Sequence, residues 1–467
     1  MNRRHFLMSS AWLAATPIIN RFAFAAAERT DVVVIGAGIS GLYTALMLEE
    51  KGLSVRVLEA SQRAGGRMYT LDELPWKPNT GGTEIGDGYQ RLIGLAQKVG
   101  VKVIDPPTGE GRGGSTMYVI NGQKVLDKDW ATSPINQLTE SERKIAPPLL
   151  ETMLLNTKNP LETLDDWYNP KFNVYDVSLA DFLKKNGASE EALRLINANA
   201  NTNDIATTSA LNTFKSMTFR TKGGSKKTLR IEGGGQRLPE KVAQLLKRPV
   251  EFGQRVIEIS DRGGRTDVKC AGGQVYQANK VVVAVPFPAV QKIKIKGRLS
   301  PLHYEAIRSL PYTKITQLHV AAKEPFWEYD GMPPTLWTDG AFGRIFVNKG
   351  DNGQTGLLAW VNGIEAIALD KIDEKEIIAG FLAEMKQLRP ASEGKIEVLK
   401  INSWGNNPLA GGAYYHLAPG QASKFFPTLL TPAGNIYFCG EHLGLQNNGM
   451  EAACESAEYV VKKITTT

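Results

Sequence analysis

The stretch Asp31–Glu59, DVVVIGAGISGLYTALMLEEKGLSVRVLE, decides the fold. Val32 to Ile35 is a short apolar run of the kind that forms a buried parallel strand. Gly36, Gly38 and Gly41 follow as G-x-G-x-x-G. Ile39, Leu42, Tyr43, Leu46 and Met47 then repeat with helical spacing. After the turn at Gly52, Val55-Arg56-Val57-Leu58 reads as a second strand with Glu59 at its end. The pattern predicts a βαβ unit that binds a dinucleotide. Gly36 permits the tight turn, Gly38 lets the backbone approach a pyrophosphate, and Gly41 lets helix and strand close up. Ile39 and Ser40 open the helix, whose free N–H groups and positive dipole end suit phosphate. Glu59 suits a ribose diol, and its charge repels an added 2′-phosphate. The unit alone leaves NAD and FAD both open.

With 467 residues, 42% hydrophobic and 22% charged, the chain is long enough for two or three globular domains. Its net charge of +7 is mild and dispersed, and Arg3, Arg4 and Arg21 of the excess lie at the front, so no nucleic-acid partner is expected. Residues 1–27 read as a targeting segment: a basic start, a mostly apolar Phe6–Ile19, and small residues at Ala25-Ala26-Ala27. Arg3-Arg4 before Phe6-Leu7 resembles a twin-arginine signal, which predicts export of the folded protein to the periplasm or beyond. The apolar run is too short and too interrupted to span a membrane, so no stable membrane insertion is expected. Cys270, Cys439 and Cys454 have neither disulfide-framework nor metal-ligand spacing, and no metal site is expected.

Further on, the pattern changes in blocks. Residues 31–90 continue the nucleotide unit, and 91–225 read as a helical insertion with part of a substrate lobe. Ser178 and Ser189 are the expected helix caps there. Glycines return at Gly233-Gly234-Gly235 ahead of a helix at 240–246, followed by strands near 256–259, 267–270 and 280–285. Residues 226–300 therefore rejoin the nucleotide domain. Residues 301–429, with a helix at 374–388, form a separate substrate domain. Residues 430–467, with Ile436 to Cys439 and a helix at 451–463, close the first domain. A nucleotide domain to which the chain keeps returning points to a large flavin gripped from several segments.

From Gly65-Gly66-Arg67 onward the sequence resembles the flavin-dependent amine oxidase family of monoamine, polyamine and L-amino acid oxidases. The resemblance is carried by GAGISG at 36–41, LEASQRAGGR at 58–67, GGTEIGDGYQRL at 81–92 and EGGGQRL at 232–238. It continues with VVVAVP at 281–286, KEPFW at 323–327, WGNNPLAGGAYYHLAPG at 404–420 and IYFCGEHLGLQNNGMEAACESA at 436–457. It implies an α/β fold, with a Rossmann-type FAD domain and a mixed-sheet substrate domain. By that resemblance Ala60, Gly65, Gly66 and Arg67 approach the cofactor, joined by Gly82, Thr83 and Glu84. Val256 flanks the adenine, Gly440 and Glu441 hold the ribityl and pyrophosphate region, and Gly449, Met450 and Glu451 start the helix at the flavin ring. Ala413 stands where some relatives carry the cysteine that bonds FAD, so the FAD is expected to be noncovalent. Gln317 stands where a lysine often lies near flavin N5.

The implied chemistry is hydride transfer from an amine-bearing carbon to the flavin, with oxygen as the final acceptor. Tyr414 and Trp360 are the candidate walls of an aromatic substrate cage, and Gly449, in place of a second aromatic wall, leaves room beside the reacting carbon. An L-amino acid is the expected substrate, with Arg91 or Arg344 as candidate carboxylate ligands. Glu84 could instead attract a cationic side chain or a polyamine. The alternatives are an amine or polyamine oxidase and, outside that chemistry, a lipid desaturase-like or non-catalytic FAD-binding protein. A homodimer is compatible with the sequence.

Overall fold

A computed structural model describes residues 30–106 and 115–466; the targeting segment at 1–27 lies outside them. The Asp31–Glu59 unit builds the centre of a seven-stranded sheet. Strand Thr30–Ile35 lies parallel between Val55–Leu58 and Val275–Val283, with Val32 opposite both Val55 and Lys280. Ile436–Phe438 pairs in parallel with the end of Val275–Val283, and Thr266–Cys270, Val256–Asp261 and Lys294–Lys296 extend the sheet outward. Val32, Val33, Val34 and Ile35 are all buried, the environment that selects β-branched side chains and excludes alternation. Each such side chain contributes about 1.5–3 kcal/mol on burial.

Helix Ile39–Glu50 packs on this sheet, and the glycines set how closely. A Cβ on Gly41 would sit 2.1 Å from the Gly36 carbonyl oxygen, so the helix can approach only with glycine there. Gly36 has φ +106°, and a Cβ would meet Val285 at 2.7 Å. The closing helix Gly449–Thr466 packs beside Ile39–Glu50; it starts before residue 451 and continues past 463. The helix after the second glycine run starts early too, spanning Arg237–Leu245, because Pro239 fits the first turn. The strand expected at 280–285 spans Val275–Val283.

A second seven-stranded sheet runs in the order Ile396–Ser403, Ile315–Ala322, Thr355–Asn362, Arg344–Lys349, Thr335–Thr338, Thr116–Ile120, Gln123–Leu126. Its pairs are antiparallel except Thr335–Thr338 with Thr116–Ile120. The helix Glu374–Leu388 turns Ile377, Phe381, Met385 and Leu388 inward, an i, i+4, i+8, i+11 stripe. Between Asp127 and Lys222 lie short helices capped as their serines suggest: Ser178 Oγ accepts from Asp181 N–H, and Ser189 Oγ from Ala192 N–H. Among the described residues no helix is long and apolar enough to cross a membrane.

Candidate active site

A cavity of about 660 Å³ runs from the end of strand Val55–Leu58 to the inner face of the second sheet. At one end stand Gly36, Gly38, Ile39, Ser40, Glu59, Ala60 and Val256. Glu59 is buried, and its two carboxylate oxygens each accept a backbone hydrogen bond at 2.8 Å, from Ala37 and Ser61. Those two bonds fix the carboxylate at the lip of the phosphate turn. A Cβ on Gly38 would meet nothing within 4 Å, so its backbone faces open space where a phosphate can approach.

The middle of the cavity is cationic. Arg67 donates to Glu441 Oε1 and to the Ala413 carbonyl, both at 2.9 Å, and Glu441 also accepts from Tyr415 N–H. Arg63 bonds the Gly66 carbonyl at 2.7 Å and lies 3.9 Å over the Tyr69 ring. Both guanidiniums are braced by the protein while lining the cavity, an arrangement suited to a pyrophosphate. Gly440, Gly82 and Thr83 complete this section.

At the far end the wall is aromatic. Trp360 is on strand Thr355–Asn362, and its indole N–H donates to the buried Asn362 side chain. Tyr414 belongs to a segment tied to Thr313 by two backbone bonds, 2.8 and 2.9 Å. Trp404, almost fully buried, donates its indole N–H to Thr80 O at 3.0 Å. Ile315, Trp404 and Ala410 form one apolar cluster against which Tyr69, Trp360, Ala413 and Tyr414 pack. Gly449 and Met450 bring the start of the closing helix to the same end, and exposed Glu84 sits in the wall. Gly449 has φ +56°, and nothing lies within 4 Å of where its Cβ would be.

Five expected residues do not line the cavity. Arg91 is turned away and bound to two acids, Glu458 at 2.8 Å and Glu451 at 3.3 Å. Glu451 is buried in the first turn of the closing helix, where its carboxylate accepts from the N–H groups of Arg91 and Leu92 and so caps helix Gln90–Lys98. It braces the fold rather than the cofactor. Gln317 is wholly buried within the second sheet, opposite Trp360 and Asn402 in register. Gly41 acts from behind the wall by admitting the helix. Arg344, the other candidate carboxylate ligand, is also outside the wall, with a guanidinium nitrogen 3.5 Å from Asn201 Oδ1. Conversely, Arg63, Tyr69, Trp404, Lys292 and His442 line the cavity without having been singled out. The first three lie inside or just past the LEASQRAGGR and WGNNP segments, so those segments were the available signal. His442 sits under Gly440 and 4.4 Å from the Phe287 ring, and burial holds its imidazole neutral, down at about 3.

An acid at a ribose position, open backbone and arginines at a pyrophosphate position, and an apolar far end fit FAD. None of the three cysteines lines the cavity and Ala413 does, so the FAD is held noncovalently. The fold and site define a two-sheet flavoprotein oxidoreductase. A profile of flavin-containing amine oxidoreductases matches residues 39–465, and the chain belongs to that family. It is 24% identical to amine oxidase [flavin-containing] B of Mus musculus and 26% identical to an amine oxidase [flavin-containing] of Danio rerio. Each alignment covers 94% of this chain and 86% of the relative. Among solved structures it is similar to a putrescine oxidase bound to putrescine, with TM-score 0.75 and 22% identity. It is likewise similar to a cyclohexylamine oxidase from Brevibacterium oxydans, with TM-score 0.76 and 20% identity. In both cases 94% of this chain and 99% of the other are covered.

Proposed function

We propose that the protein is an amine oxidase whose substrate is a primary amine seated between Trp360 and Tyr414, with any second cationic group drawn to Glu84. The observation that carries this is the composition of the far end: an aromatic cage with one acid, and neither Arg91 nor Arg344 in the wall. Bound FAD supplies a hydride acceptor for the substrate carbon and passes the electrons to oxygen. The protein's own part is placement and desolvation. Closing aromatic rings around an ammonium removes its water and favours the neutral amine, the form that can give up a hydride. Arg67, Arg63 and Glu59 hold the cofactor in register with that cage.

A second reading, an L-amino acid as substrate, draws on one observation: the open space at Gly449 leaves room for a substituent on the reacting carbon. The two are separated by coupling peroxide release to a peroxidase dye with monoamines, diamines, and L- and D-amino acids. Turnover of amines is the expected result, with Glu84→Gln raising KM for a diamine and not for a monoamine. Peroxide from L-amino acids alone would overturn the amine reading. A yellow protein that turns over none of them would overturn both.

A further inference from the structure

Lys215, in the middle of helix Ala210–Lys222, is buried and takes no part in the cofactor wall. Its ammonium donates to the Tyr415 hydroxyl and to the Gly444 carbonyl at 3.4 Å, and it lies 4.2 Å from the centre of the Trp167 ring. These partners come from three separate segments of the chain, and the ammonium touches all three. Trp167 belongs to the insertion and donates its indole N–H to Leu445 O at 2.8 Å. Tyr415 follows the cage residue Tyr414, and its backbone N–H bonds Glu441, the acid that braces Arg67. Gly444 begins the turn that leads to Gly449 and Met450, packed so tightly that a Cβ there would come within 2.3 Å of Ala452 Cβ. In an extended segment neighbouring side chains point to opposite sides. Tyr414 therefore walls the cavity while Tyr415 reaches back to the lysine.

We propose that Lys215 is a positioning residue: its ammonium pins Tyr415 and the Gly444 turn to the insertion, and through them holds the Tyr414 wall against Trp360. The inference rests on the reading of Tyr414 and Trp360 as the substrate cage. The charged and titratable groups that face the ammonium are Tyr415, Glu441, and Glu455 of the closing helix, which itself bonds the N–H groups of Leu445 and Gln446. Burial, offset only in part by Glu455 and Glu441, brings the ammonium down to about 8. The pin thus changes charge within an accessible range. Above that point the bonds to Tyr415 and Gly444 lose their charge assistance, and the contact with Trp167 loses its cation.

The test uses the FAD-loaded protein and benzyl alcohol, an uncharged aromatic probe that does not itself titrate, with binding followed through the flavin visible spectrum between about pH 6.5 and 9.5. The wild type is expected to lose about threefold to tenfold in affinity across a midpoint near 8, the scale of coupling between contacting groups. Lys215→Met should bind at the weak level throughout. Lys215→Arg, whose guanidinium keeps its charge, should bind at the tight level to the top of the range. A flat wild-type profile, or the same midpoint in Lys215→Met, overturns the proposal. If Lys215→Met does not fold, the wild type against Lys215→Arg decides on the same criterion. A probe that binds the wild type and Tyr414→Ala equally refutes the cage itself, and the proposal falls with it.

Discussion

Replacing Glu59 with glutamine tests the cofactor reading at a single atom. The carboxylate has two oxygens, and each already accepts one backbone N–H at 2.8 Å, from Ala37 and from Ser61. Glu59 also lines the cavity, so the carboxylate has further acceptor capacity for a bound group. An amide offers only one oxygen, so in Glu59→Gln either Ala37 N–H or Ser61 N–H must face an NH₂ group. That conflict is present with or without FAD and costs about 1–3 kcal/mol, an unsatisfied buried donor. The bond to a ribose hydroxyl exists only in the loaded protein. Replacing its charged acceptor by a neutral one removes about 1–2 kcal/mol, or roughly 5- to 30-fold in the Kd for FAD. The two terms separate experimentally. Thermal melting of the apoprotein reports the backbone conflict, and quenching of FAD fluorescence on titration with apoprotein reports the ribose bond. A folded Glu59→Gln protein that binds FAD within twofold of the wild type would show that this carboxylate is no cofactor ligand.

Further expectations follow from the buried groups. Burial holds His319 and His442 neutral down to about 3, and His416 to about 4, whereas unfolded imidazoles charge near 6.5. Their stabilising contribution is complete above about pH 6.5 and is lost as the pH falls below it. At pH 5 the three should together cost several kcal/mol, and acid melting curves in which His319→Gln does not flatten this loss would refute the assignment. Arg389 and Asp330 form a double hydrogen-bonded ion pair, both bonds 2.8 Å, with each side chain only 3% exposed. Arg389→Met leaves the acid buried alone, so a loss of about 3–5 kcal/mol in denaturant melting is expected, and a loss under 1 kcal/mol would contradict it. Gly449→Tyr should fill the open space beside the cage. Substrates branched at the reacting carbon should then lose kcat/KM by at least tenfold relative to unbranched amines, while equal losses for both would show that the space is not at the reacting carbon. The left-handed backbone there adds a destabilisation of about 1 kcal/mol or more, visible as a lowered Tm.

The first domain was legible because its rules are local. A buried parallel strand needs an apolar run, and a phosphate turn needs glycine where no Cβ fits. Val32–Ile35, Gly36 and Gly41 therefore announce themselves within thirty residues. The residues that line the cavity from short glycine motifs could be placed for the same reason. Arg91 and Glu451 could not. Each has the right charge near the right motif, but they are 360 positions apart and neutralise one another, a pairing that spacing does not encode. Gln317 was placed by its distance from KEPFW, and it does share a sheet face with the wall residues Ile315 and Trp360; it is kept from the cavity by being wholly buried among its neighbours, Asn402 donating to its side-chain oxygen, and spacing does not encode that packing. Trp404 illustrates the converse. A tryptophan in a loop reads as ordinary core until its N–H is seen to bond the Thr80 carbonyl, more than three hundred residues earlier and beside the glycine motif Gly81-Gly82.

The position of Ile436–Phe438 and of Gly449–Thr466 in the chain also bears on how the protein takes up its cofactor. The strand that pairs with Val281 to Val283, and the helix that starts at the cage, are supplied by residues 436–466. Without them the phosphate turn has a sheet that lacks one of its seven strands, Arg67 lacks Glu441, and helix Gln90–Lys98 lacks its cap from Glu451. Cofactor capture consequently requires residues 436–466. A truncation that removes Ile436–Phe438 and Gly449–Thr466 should cost FAD before it costs the second sheet, none of whose strands lies in them.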